Sequence, residues 1–200
     1  MSSAPLRCLV LGRDPSGESH SLLTLLEPTE GLVRCLIRAR PGKAATTPDL
    51  FDDGEITLER AKDGGTRFAR DYRLLHRRLG IARDHRTLER ACRCAAMLRK
   101  NPPPPESAPV CARIAAETFD AMATRPRADA AYFKGLWLML KDGGWPVQED
   151  WLPGLGARRE AAGAVLLQPL DAQTTEEEVV ARLATDLERW AAGEAHFVLP

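Results

Sequence analysis

Two sets of side chains in this chain could do chemistry: a few serines and histidines of the kind nucleophilic enzymes use, and arginines of the kind that hold phosphate. Gly17-Glu18-Ser19-His20-Ser21 has the outline of a nucleophile elbow. That motif needs a strand before it, a helix after it and a glycine at its last position. Here a leucine-rich, strand-like run follows, and Ser21 stands in the last place. His76, His85 and His196 have no carboxylate at a spacing that would orient them. Neither a Walker loop nor Gly-x-Gly-x-x-Gly after a strand is present, so no nucleotide site is expected. No grouping of Asp and Glu suggests metal-assisted nuclease work. Cys8, Cys35, Cys92, Cys94 and Cys111 include no Cys-x-x-Cys. Cys92 and Cys94 would lie on different sides of a helix, which is poor geometry for a shared metal ion. The expectation is a protein that is not an enzyme, with no catalytic residue, cofactor or metal, whose cysteines serve mostly as small buried hydrophobes.

The arginines point elsewhere. Arg7 and Arg13 belong to one strand-like run, and Arg34 and Arg38 to another. Arg40 and Lys43 follow in a Pro-Gly loop. The planar guanidinium fork matches phosphate oxygens bidentately, so these six residues on adjacent strands and their exit loop are expected to form one DNA-binding surface. Only Phe51, Phe68 and Tyr72 are available for base stacking in the first 72 residues, and at least two should be core. Binding is therefore expected to be salt-sensitive, made to the backbone and weakly selective for sequence. A second basic stripe, Arg86, Arg90 and Arg93, recurs at i, i+4 and i+7 of a helix and is a possible secondary DNA contact.

Bulk composition agrees with a globular protein. The 200 residues are 44% hydrophobic and 28% charged, with zero net charge. The balance is uneven along the chain: residues 71–100 hold nine Arg/Lys against three Asp/Glu, and residues 161–200 hold two against seven. The N-terminus lacks a basic stretch followed by an apolar core, so no signal peptide is expected. No run approaches the length of a membrane span, and a cytoplasmic protein is expected.

The elements that must position these side chains begin with a meander. Leu6–Gly12, Ser19–Glu27 and Leu32–Ala39 read as strands, separated by the turns Asp14-Pro15-Ser16-Gly17 and Pro28-Thr29-Glu30-Gly31. Period-two alternation puts Arg7, Leu9, Leu11 and Arg13 on one face, with Leu6, Cys8 and Val10 on the other. In the third strand Leu32, Arg34, Leu36 and Arg38 share a face. Leu50–Arg60 and Thr66–Tyr72 read as a hairpin around Lys62-Asp63-Gly64-Gly65. Five strands in this length fit an OB-fold barrel, a common single-strand-binding scaffold.

From Arg73 the period becomes helical. Helices are expected over Arg73–Gly80, Asp84–Lys100, Ser107–Ala123 and Asp129–Leu140, with prolines 102–105 as a stiff connector. Trp145–Leu155 reads as irregular. A last helix is expected from Thr174 or Thr175 with a capping box to Glu177 or Glu178. The Tyr132, Phe133 and Trp137 face reads as core rather than as a partner groove. The fold class is thus α+β: an N-terminal five-stranded barrel over 1–72 and a helical domain over 73–200.

The order of these features resembles the bacterial recombination mediator family RecO. The resemblance rests on Gly17-Glu18-Ser19, Leu22-Leu23-Thr24-Leu25-Leu26, Gly31 and Arg38-Ala39-Arg40. Further on, Phe133-Lys134-Gly135-Leu136-Trp137 and Gly143-Gly144-Trp145-Pro146 continue it. It implies an OB domain followed by a helical domain that binds single- and double-stranded DNA, anneals complementary strands and helps load the recombinase in DNA repair and recombination. The implied partners are RecR and the single-strand DNA-binding protein. Arg34, Arg38 and Arg40 match the family's DNA-binding surface, with Lys43 in the following loop. Many members carry four zinc-binding cysteines after the Gly-x-Pro segment, whereas Val147–Gly156 has none, so no zinc is expected. The chain is also shorter than usual after Trp151, and no partner contact is carried over to particular residues. The competing expectation is an interaction module of a replication or repair complex that keeps the fold and does not bind DNA.

Overall fold

The computed structural model of the protein describes residues 4–38, 47–59 and 66–200. Five strands close a barrel in the order β1-β2-β3-β5-β4. They are β1 (Leu6–Ser16), β2 (His20–Glu27), β3 (Gly31–Arg38), β4 (Asp53–Glu59) and β5 (Arg67–His76). Every ladder is antiparallel except β3–β5, which is parallel and joins Cys35, Leu36 and Ile37 to Arg67, Phe68 and Ala69. Alternate residues turn inward, as the pleat requires. Cys8 and Val10 of β1, Leu23 and Leu25 of β2, and Val33 and Cys35 of β3 meet Ile56, Leu58 and Tyr72 in one buried cluster.

Two local features set the register. The turn into β3 is the expected one: the buried Glu27 carboxylate accepts the N–H groups of Thr29 and Glu30 at 2.8 and 2.6 Å. Gly31 ends that turn at φ 76°, in the left-handed region that glycine enters without strain. The first turn falls later than the sequence pattern places it. β1 continues through Pro15 to Ser16, which pairs with His20, leaving residues 17–19 as the loop. A bulge makes this possible: Val10 pairs with Leu25 but Gly12 pairs with Thr24, so Leu11 is the extra residue. A bulge shifts the alternation by one and sends every later side chain to the other face.

β5 also runs further than its pattern suggested. Arg73–Gly80 is not a helix; the strand continues to His76, and a 3-10 turn follows at Leu79–Arg83. Tyr72 turns into the core and Leu74 packs against it, which holds the segment in the sheet. Its end is pinned by charge. Arg77 binds the fully buried Asp52 carboxylate at 2.7 Å and the Thr47 carbonyl at 2.8 Å. Arg78 binds the Phe51 carbonyl at 2.5 Å and Asp53 at 3.0 Å. The Tyr72 ring also lies over Gly54, where an added Cβ would come within 2.3 Å of it. The tip of the expected hairpin, Lys62–Gly65, lies outside the described residues.

The remaining chain is helical: α1 (His85–Lys100), α2 (Ala108–Thr124), α3 (Ala128–Asp142), a single turn α4 (Leu152–Gly154), α5 (Arg159–Leu167) and α6 (Glu177–Glu194). Asp84 caps α1 by accepting the Thr87 N–H at 2.8 Å. The capping box expected for the last helix does not form: α6 starts at Glu177, and its cap residue Glu176 makes no side-chain bond to the helix. Segment 145–155, expected to be irregular, holds a π-turn at Val147–Trp151 and then α4. Tyr132, Phe133 and Trp137 are core, and Trp151 stacks obliquely against Phe133 and Trp137 at 6.0 and 5.7 Å.

Contacts divide the chain into two units, Met1–Arg78 with Pro102–Ala112, and Leu79–Asn101 with Arg113–Pro200. The proline stretch thus belongs with the barrel: the position of a Cβ on Gly31 lies 3.0 Å from the Pro103 carbonyl. Among the described residues, no helix is long and apolar enough to cross a membrane.

Candidate nucleic-acid interface

Side chains on directly opposite residues of paired strands share a face, so the register shows which arginines can act together. On β3, Arg34 stands opposite Thr24 and Arg38 opposite His20 of β2. Between them Leu36 stands opposite Leu22 on one side and beside Phe68 of β5 on the other. This row of the barrel wall is the outer one, since Cys35 and Val33 between them point into the core. Arg34 and Arg38 are exposed, about 13 Å apart along the strand, and neither has a carboxylate partner among the described residues.

Four other barrel arginines differ. Arg67 pairs with Glu30 at 2.5 Å and Arg73 with Glu55 at 2.6 Å, while Arg77 and Arg78 are held by Asp52 and Asp53. An arginine already matched by a carboxylate must give up that bond to bind phosphate. Among the described residues, Arg34 and Arg38 have no such bond to give up.

The structure does not bring all six expected residues together. Arg7 is exposed and stands opposite Glu55 on β4, beside the Glu55–Arg73 pair. It lies two strands and about 13 Å of strand length from Arg34. Arg13 follows the bulge in β1 and stands opposite Leu23, whose side chain points into the core. Simple alternation had placed it on the outer face with Arg7; the extra residue Leu11 turns it to the inner side, at the exposed end of the β1–β2 hairpin. Arg40 and Lys43 lie outside the described residues. Among the described residues, the candidate interface therefore rests on Arg34 and Arg38.

Two rings stand on the same face, His20, which the sequence did not single out for binding, and Phe68, one of the three aromatics available for stacking. His20 is the cross-strand partner of Arg38, and its ring meets that of Phe68 edge to face, with centroids 6.1 Å apart and planes at 80°. Ser19 Oγ lies 2.9 Å from His20 Nδ1. Phe68 is 45% exposed, the one aromatic among the exposed large apolar side chains of the described residues. Phe51 and Tyr72 are buried, as expected for at least two of the three early aromatics. The signal for Phe68 was available in principle: its strand places it beside Leu36, outside the core.

The helical stripe is differently disposed. Arg93 donates to the Glu188 carboxylate from Nε at 2.8 Å and from a terminal nitrogen at 2.5 Å. Tyr132 donates its hydroxyl to the same carboxylate at 2.5 Å. Glu188 is buried, and burial together with its charge pushes the Tyr132 phenol well above its usual range. Arg93 is thus half-buried against a core carboxylate and is not a free cation. Arg86 is exposed and lies 3.7 Å from Glu177.

Among the described residues no group of three His, Cys, Asp or Glu could hold a metal ion. Cys8 and Cys35 are buried, and burial pushes their thiols up to about 12 and about 11. Cys111 is likewise pushed to about 11, while Cys92 is exposed. No family model matches the sequence, and no curated protein matches it either.

Proposed function

We propose that the protein is a DNA-binding mediator of recombinational repair, as the resemblance to RecO implies, and that its barrel is an OB-fold. The observation that carries this reading is the outer face of β2, β3 and β5, where Arg34 and Arg38 stand exposed with no carboxylate partner among the described residues while Arg67, Arg73, Arg77 and Arg78 are paired. The parallel β3–β5 ladder and the order β1-β2-β3-β5-β4 support the OB assignment. Binding works through charge. Arginines that replace condensed counterions hold a phosphate backbone with little regard to sequence. Two strands held on such a face repel each other less, so complementary strands pair and anneal, and an annealed or loaded filament can form without any cofactor turnover. RecR and the single-strand DNA-binding protein are the proposed partners, and the cytoplasm the proposed location.

The test is anisotropy of labelled single-stranded DNA across a salt series, alongside an annealing assay. A log–log slope worth a few phosphates is expected, together with accelerated annealing. Absence of binding at low salt would leave a protein-docking module as the account of the fold.

A further inference from the structure

A face that held only the phosphate backbone would need arginines and no aromatic. This one carries both. Phe68 stands in the same row as Leu36, midway between Arg34 and Arg38, and is left 45% exposed. His20 meets it edge to face and is the cross-strand neighbour of Arg38. Two rings at 80° make a corner: a flat group laid on one ring presents its edge to the other. Leu22 and Leu36, both half-buried, give that corner an apolar floor. The exposed guanidinium groups of Arg34 and Arg38 stand on either side along β3, with no carboxylate partner among the described residues.

We propose that Phe68 and His20 form a stacking site for an unpaired nucleobase, with Arg34 and Arg38 holding the phosphates that flank it. A flat, apolar-faced group between two anions is the chemistry of one nucleotide within a single strand. The bases of a duplex are already stacked on their neighbours and turn only their edges outward, so they cannot lie on the Phe68 ring. The site therefore confers a preference for single-stranded over double-stranded DNA, one that charge alone does not supply. Every base has an aromatic face, so this preference is for unpaired structure and not for sequence. The inference rests on the DNA-binding reading above and adds a base contact to its backbone contacts.

Three ligands separate the contributions: a thymidine homopolymer, an abasic strand of equal length, and a duplex. Wild-type protein should bind the abasic strand roughly tenfold more weakly than the thymidine strand, in line with one stacked base. Phe68→Ala should lower thymidine-strand affinity to the abasic level while leaving abasic and duplex affinities and the salt slope unchanged. Phe68→Trp should restore it. Equal wild-type affinity for the thymidine and abasic strands would overturn the stacking site and leave the backbone reading standing; that comparison needs no mutant and so cannot be confused with misfolding. A Phe68→Ala variant that weakens all three ligands alike would also overturn it. Failure of wild type to bind any of them at low salt would overturn both readings.

Discussion

Arg38 on β3 and Arg93 on α1 are the same residue type, each picked out by spacing as part of a basic face, and the structure gives them opposite surroundings. Arg38 stands across from His20 with no carboxylate partner among the described residues. Arg93 grips Glu188 with two nitrogens, and Tyr132 closes the remaining side of that carboxylate. The difference does not lie in the arginines or their local sequence. It lies in whether a distant part of the chain delivers an acid to the same spot. Periodicity identifies a face, but the occupant of that face is a tertiary fact.

Breaking the helical side of this comparison should have the largest effect. Arg93→Ala leaves the buried Glu188 carboxylate with only the Tyr132 hydroxyl, and because Arg93 itself is half-buried the loss should be about 1–3 kcal/mol. Urea unfolding should show that loss, while a barrel surface intact in the folded protein keeps its DNA affinity. Glu188→Gln, which can still accept the Tyr132 hydroxyl, should cost less.

Overpacking each unit in turn sharpens the separation. A Cβ on Gly135 of α3 would lie 2.4 Å from Thr118 Oγ1 of α2, so Gly135→Ala should destabilise by about 1–3 kcal/mol. Gly54→Ala in β4 meets the Tyr72 ring at 2.3 Å and should destabilise the barrel on a similar scale. Thermal melts read both, and the Gly54 variant should also blunt DNA binding because it disturbs the strands that carry the interface.

The smallest effects concern exposed groups. Arg86→Ala removes an ion pair at 3.7 Å between two exposed side chains, so stability should change by less than about 1 kcal/mol. Thiol labelling of native protein should modify Cys92 first, since Cys8 and Cys35 are buried and their thiols stay protonated at neutral pH. Rapid loss of all five thiols would mean that the barrel core opens readily.

The architecture was largely legible because its cues are local. Gly31 after Pro28-Thr29-Glu30 marked the second turn, alternating Val33, Cys35 and Ile37 marked an inward face, and Asp84 marked the start of α1. What escaped depends on single residues whose effect is read elsewhere. The Leu11 bulge carries no strong sequence signature, yet it moves Arg13 to the other face and carries β1 on to Ser16. The Arg73–His76 segment has a composition that suits a helix, but Leu74 packing on the barrel core and the Arg77 and Arg78 anchors hold it as strand. Composition leaves open which of Phe51, Phe68 and Tyr72 stays outside the core, and the parallel ladder that sets Phe68 beside Leu36 decides it.

The central claim is that Arg34 and Arg38, and not the helical arginines, hold the phosphate backbone. Salt-dependent anisotropy of single-stranded DNA tests it most directly, comparing wild type with the Arg34→Ala/Arg38→Ala double variant and with Arg86→Ala. The account predicts a log–log slope reduced by about 2 for the double variant, weaker binding to every sequence, and a wild-type slope for Arg86→Ala. An unchanged slope in the double variant, with the loss appearing instead in Arg86→Ala, would contradict it.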